Sequence, residues 1–188
     1  MTTERIDAYF KPEDLQWMRS VFNGSDKGAQ MLRRALNYGA NQGRKITIDE
    51  IYAKLNVKRG TVKNHVFFPR SLDNGYISAR LVVTGFPLPL EEFNVRNLAK
   101  GGVSFKIWRN GDREKYRHVF YYKGRVVERN IDSPAYDGRT PFRSKSGPSI
   151  PNVFANTPGL ADRAIGTATD RTLTELERLT SLMLEGRL

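Results

Sequence analysis

Residues 47–66 read Thr47-Ile-Asp-Glu-Ile-Tyr-Ala-Lys-Leu-Asn-Val-Lys-Arg-Gly-Thr-Val-Lys-Asn-His-Val66. The pattern predicts a helix, a tight turn and a second, basic helix. Thr47 and Glu50 have capping-box spacing, in which the hydroxyl accepts from the Glu50 N–H and the carboxylate reaches back. Ile48, Ile51 and Leu55 fall on one helical face. Asn56 can adopt the left-handed backbone of a turn. The second helix is expected from about Lys58 and must stop before Pro69, since the residue preceding proline disfavours helix. Val62 and Val66 are its inward residues. A short basic helix on a small apolar platform fits the DNA major groove.

Charge points the same way. The 188 residues carry a formal net charge of +11, which favours a polyanionic partner. A hydrophobic share of 39% is enough for a core, and 27% charged residues suit a soluble protein. The absence of cysteine excludes disulfides and thiolate zinc sites. No apolar run approaches the roughly 18 residues of a membrane span. The first residues, Met1 to Asp7, lack the apolar stretch of a signal peptide. A cytoplasmic protein with no membrane partner is expected.

Upstream, residues 12–22 read as a helix, with Pro12 at its first position and Leu15, Met18, Val21 and Phe22 at helical spacing. Asn23-Gly24 ends it. Ser25 or Asp26 caps a second helix, with Met31, Leu32, Ala35 and Leu36 inward and Arg33 and Arg34 outward. Gly39 to Gly43 is expected to be a loop.

Downstream, Asn74-Gly75 signals a turn into a strand that runs through Leu81-Val82-Val83. Residues 101–131 read as a three-stranded meander. Its first strand holds Val103, Phe105 and Ile107, followed by a turn at Asn110-Gly111. The second covers about 115–122, and Lys123-Gly124 turns it into a third over 125–131. Arg109, Arg113, Lys115 and Arg117 are expected to form a basic ridge on this sheet, since alternate strand residues share a face. Residues 132–168 hold five prolines and many Ser and Gly, and read as an arm or linker. A C-terminal helix is expected over about 172–185. It has a Thr172/Glu175 capping box, a stripe of Leu173, Leu176, Leu179 and Met183, and Gly186 at its end.

Residues 46–84 resemble the winged helix-turn-helix superfamily of DNA-binding proteins. Glu50-Ile51, Leu55, Val57, Thr61-Val62 and Val66 stand where that pattern places its cap and core, and Leu72, Gly75-Tyr76-Ile77 and Arg80 look like the entry to a wing. The pattern prefers a small residue where Tyr52 stands and glycine where Asn56 stands, so Tyr52 has to turn outward. The resemblance implies that Lys58, Arg59, Thr61, Lys63 and Asn64 face DNA. Arg59 and Lys63 would donate to guanine or to phosphates, and Asn64 would pair with adenine. Thr61 would cap the helix or touch phosphate.

The resulting expectation is an α+β protein in four parts. Residues 1–100 form the winged domain, 101–131 the basic meander, 132–168 the arm and 169–188 an amphipathic helix that pairs two protomers or docks back on the body. It binds double-stranded DNA and regulates transcription, with a phage or mobile-element origin. A site-specific metal-dependent endonuclease is the enzyme alternative, with Glu128, Asp132 and Asp137 as metal ligands and Lys145 nearby. A nucleic-acid-packaging protein is the third. His65 and His118 are the only histidines, which excludes a histidine-rich metal site. No glycine-rich phosphate loop occurs, and no cofactor is expected.

Overall fold

The computed structural model describes residues 4–9, 26–68, 70–73 and 76–187. In chain order its elements are β1 (Glu4–Tyr9), α1 (Asp26–Lys54), α2 (Arg59–Lys63), β2 (Val66–Phe67), β3 (Arg70–Asp73), β4 (Tyr76–Gly85) and β5 (Pro87–Pro89). A 3-10 turn (Leu90–Glu92) leads to β6 (Arg96–Asn97), β7 (Val103–Phe105), β8 (Glu114–Tyr116), β9 (Val119–Tyr122) and β10 (Arg125–Arg129). Then come β11 (Phe142–Ser144), β12 (Ser146–Ser149), α3 (Ile150–Ala155) and α4 (Leu160–Leu184). The result is α+β, with small antiparallel sheets and a long C-terminal helix.

The expected loop at Gly39–Gly43 is helix. The helix expected after Ser25 or Asp26 and the one expected from Thr47 fuse into the 29 residues of α1. Glycine serves close approach here, not a turn. α4 lies antiparallel to α1, and a Cβ at Gly39 would sit 2.0 Å from Thr172 Oγ1 and 2.3 Å from the Ala168 carbonyl oxygen. One at Gly43 would sit 2.7 Å from the Ala164 carbonyl oxygen. Small residues at spacing four on both helices therefore form a seam along which the two backbones meet.

Both expected capping boxes lie inside helices. Thr47 Oγ1 donates to the Gly43 carbonyl at 3.0 Å, and Thr172 Oγ1 donates to Ala168 at 2.7 Å. Both residues are fully buried, so the back-bond satisfies a hydroxyl that no water reaches. Glu50 instead pairs with Arg163 across the helix interface, with Arg163 Nε donating to its Oε1 at 2.9 Å. That pairing holds the Glu50 carboxyl below its ordinary pKa.

The C-terminal helix begins at Leu160, a dozen residues before its expected start, and its stripe turns inward. Leu176 and Leu179 are buried with Met31, Leu32, Ala35 and Leu36 of α1, and Leu173 packs against that cluster. Met183 is exposed. The stripe expected to join two protomers is thus covered by the same chain, because α1 supplies a matching apolar face along its first turns.

The second core lies past the seam. Ile48, Ile51 and Leu55 of α1 meet Val62, Val66, Leu81, Val83, Phe93, Phe105 and Val126 there. β4 is the central strand of the first sheet, with β1 on one edge and β2 and β3 pairing along the other. β3 and β4 form the expected hairpin, whose turn at Asn74-Gly75 lies outside the described residues. The expected helix at 12–22, the Asn23-Gly24 stop and Pro69 lie outside them too.

The meander is two sheets. β7 pairs with β6 and β8, while β9 and β11 flank β10. The single expected strand over 115–122 breaks at Arg117-His118, between β8 and β9. Lys123 and Gly124 both have positive φ, 47° and 79°, as a two-residue hairpin turn of the primed kind needs. The expected arm carries β11, β12, α3 and the start of α4. β12 pairs with β5, more than fifty residues upstream, and Ser149 caps α3 by accepting from the Asn152 N–H. Among the described residues, no helix is long and apolar enough to cross a membrane.

Candidate nucleic-acid interface

α2 is shorter than expected: five residues, ending at Lys63 with Asn64 as its C-cap. The chain enters it through Lys58 in extended conformation, with no side-chain cap. Val62 is its one buried residue. Arg44 of α1 closes its C-terminal end, Nη2 donating to the Lys63 carbonyl at 2.9 Å and Nε to Val66 at 2.8 Å. A cation at that end also suits the helix dipole. The turn before α2 does not use a left-handed Asn56, which is absent from the positive-φ residues. Asn56 bonds to the loop after β7 instead, its backbone N–H to Ile107 O at 2.8 Å and its Nδ2 to Lys106 O at 3.0 Å. A tertiary strut replaces a local turn conformation.

The expected DNA-facing residues divide. Lys58, Lys63 and Asn64 are exposed on α2 and its flanks, with no ion pair among the described residues. Arg59 is exposed but bridges to Asp49 of α1. Thr61 Oγ1 donates to Glu92 at 3.0 Å, which ties α2 to the 3-10 turn. The His65 ring bonds through Nδ1 to the Thr61 carbonyl at 2.7 Å and lies so close to Gly85 that a Cβ there would come within 2.3 Å of it. Nδ1 therefore carries a proton, because a carbonyl only accepts. Arg80 is half-buried on β4, opposite Tyr9.

The expected ridge Arg109–Arg117 also divides. Arg109 lies over the Tyr52 ring at 3.9 Å, and its guanidinium donates to Tyr52 O at 2.6 Å and Val57 O at 3.3 Å. It closes the end of α1 and braces the turn into α2. Tyr52 does not turn out to solvent; it packs half-buried against the core beneath this arginine. Arg113 donates to Asn94 O at 2.6 Å and Ser104 O at 3.2 Å. Both arginines are occupied by backbone carbonyls and form no exposed ridge. Lys115 and Arg117 remain exposed. Lys115 stands opposite Ser104, and Ser104 opposite Arg96, so Arg96 and Lys115 share a sheet face.

The carboxylates of the nuclease alternative are engaged separately. Glu128 accepts from Arg143 Nη2 at 2.6 Å and pairs with Lys145 at 2.7 Å, and these cations hold its pKa down. Asp137 accepts from the Arg139 and Thr140 N–H groups and the Thr140 hydroxyl, which lower it to about 2. Asp132 is exposed. Among the described residues, no three His, Asp or Glu side chains group to hold a metal ion.

One feature escaped the sequence. On the outer face of the β9–β10–β11 sheet, Phe120 and Phe142 rings meet edge to face at 5.5 Å, and Tyr122 meets Phe142 at 4.8 Å. Arg125, Val127 and Arg129 share that face, since Tyr122, Phe120 and Phe142 are their cross-strand partners. The signal was there, in Phe120-x-Tyr122 and Arg125-x-Val127-x-Arg129 on either side of a hairpin turn. What sequence could not supply was the third strand, with Phe142. At the end of this sheet lies a cleft of about 700 Å³, lined by Arg117, His118, Glu128, Arg129, Asp132 and Tyr136 among others.

No protein-family model, curated protein or solved structure matches the chain.

Proposed function

We propose that this protein binds double-stranded DNA in a sequence-specific way and regulates transcription. In this reading residues 46–84 act as a reduced winged helix-turn-helix, built from the last turns of α1, from α2 and from the β3–β4 hairpin. The observation that carries it is the division of α2. One residue, Val62, is buried, while Lys58, Lys63 and Asn64 face outward from a rigidly braced turn. A net charge of +11 supports the same partner. A five-residue helix is short, about 7–8 Å long at 1.5 Å per residue, so it reaches only two or three base edges. Asn64 suits adenine, and Lys63 suits guanine or a phosphate.

Selection of bound duplexes from a random pool tests this. A preferred sequence should emerge, and Asn64→Ala should weaken it by about 1–3 kcal/mol while leaving random duplex almost unchanged. Equal loss on every sequence would move Asn64 to a phosphate contact and favour a packaging role. No enriched sequence would defeat the proposal.

A further inference from the structure

We propose a second nucleic-acid site, for unpaired strands, on the outer face of the β9–β10–β11 sheet. It uses no residue of α2 and stands or falls apart from the duplex reading. The opposite face is partly buried: Val119 and Val126 belong to the core, Glu128 on that side is held by Arg143 and Lys145, and Tyr121 stays exposed. The outer face carries three aromatic rings around one small apolar residue, Val127, which they cover to 4% exposure. Covering one valine needs one side of these rings. Tyr122 stays 43% exposed.

Cations frame the rings. Arg125 and Arg129 lie on the same face, exposed and with no ion-pair partner among the described residues. Lys123 Nζ stands 5.4 Å from the Tyr122 ring centre. No carboxylate alternates onto this face of β9, β10 or β11. An exposed ring with Lys123 and Arg125 as neighbours suits an unpaired strand, which presents a base to stack and a phosphate to neutralise. A duplex cannot use the ring, because its bases are already stacked. Arg117 and Arg129 both line the cleft at the sheet end, along with Glu128 and Asp132, so the positive charge is concentrated at the rings themselves.

The test is fluorescence anisotropy with a labelled oligothymidylate of about 12 nucleotides, within the span of known stacking platforms. A labelled duplex is titrated in parallel with the full chain. Tyr122→Ala should weaken oligothymidylate binding by about 5- to 100-fold, and Tyr122→Phe should retain it. The double reversal Arg125→Glu/Arg129→Glu should abolish it. None of these should alter duplex binding, whereas Lys63→Ala with Asn64→Ala should alter the duplex alone. Folding of each variant is read from its melting curve. Should Tyr122→Ala unfold, Tyr122→Trp replaces it, and its emission should be quenched as the oligothymidylate binds. The proposal is overturned if the wild-type chain does not bind oligothymidylate or if Tyr122→Ala binds as wild type. Equal loss in Tyr122→Phe, or a folded, unquenched Tyr122→Trp, also overturns it.

Discussion

Replacing Gly39 with alanine adds one methyl group to the middle of a 29-residue helix. On an exposed helix that change stabilises by about 0.8–1 kcal/mol, because glycine loses more backbone freedom on folding. Here the methyl carbon would meet Thr172 Oγ1 at 2.0 Å and the Ala168 carbonyl oxygen at 2.3 Å. A side-chain hydroxyl can rotate away. A carbonyl inside α4 cannot, so α1 and α4 must separate by more than 1 Å to restore contact distance. Overpacking of that kind costs about 1–3 kcal/mol, and here it also loosens Leu176 and Leu179 against α1. The net expectation is destabilisation of about 1–2 kcal/mol, or a fall of about 2–8 °C in Tm for a chain of this size. Gly166→Ala in α4 is the control. Nothing lies within 4 Å of its added Cβ, so the same substitution should raise stability by about 0.5–1 kcal/mol. Thr172→Ala combined with Gly39→Ala should recover part of the loss, since it removes one of the two clashing oxygens. Urea denaturation of the four proteins decides. If Gly39→Ala is as stable as the wild-type chain, the seam is not the reason for a glycine there.

Arg109→Ala should cost about 2–3 kcal/mol in urea denaturation, because one carbonyl at the end of α1 and one in the turn before α2 lose a charged donor; Arg109→Lys should not rescue it, lacking the planar fork that stacks on Tyr52. Glu50, Glu128, Asp137 and Glu175 all ionise more readily folded than unfolded, so their contribution is complete above their unfolded pKa and lost as pH falls through the folded one. The urea midpoint should therefore hold steady above about pH 5 and drop below it, with Asp137→Asn removing the part that persists towards pH 2; a midpoint rising on acidification would contradict these pairings. Duplex affinity should fall with salt at a slope near −5 on logarithmic axes if about 6 phosphates are neutralised, and a flat response would remove the electrostatic model.

Sequence reading located the features whose physics is local. The basic turn region, inward Val62, the outward Arg33 and Arg34 and the Lys123-Gly124 turn all follow from neighbouring residues. It failed where the deciding partner is remote. Thr-x-x-Glu means a cap only if the threonine backbone is extended, and at Thr47 and Thr172 it is helical, each hydroxyl bonding back to the carbonyl four residues earlier. Glycine at 39 and 43 reads as a break until Ala164 and Ala168 are seen opposite, although the spacing of four was a usable sign. The proline-rich stretch gave no periodicity because β11 and β12 are three or four residues long and pair with strands from elsewhere. For the site, side-chain type revealed the positive charge but not its employment. Lys63 and Arg109 look equivalent in sequence, yet one is exposed and the other props the end of a helix.

The pairing of α1 with α4 also sets an order of events during synthesis. Met31, Leu32 and Leu36 are made long before Leu176 and Leu179, which cover them. Until α4 is made the first turns of α1 present an uncovered apolar stripe, and closing it requires two segments far apart in sequence to meet. Contacts so distant in sequence form slowly. The nascent chain is therefore most prone to aggregation before α4 is made, and a ribosome stalled short of α4 would leave the α1 stripe open to solvent.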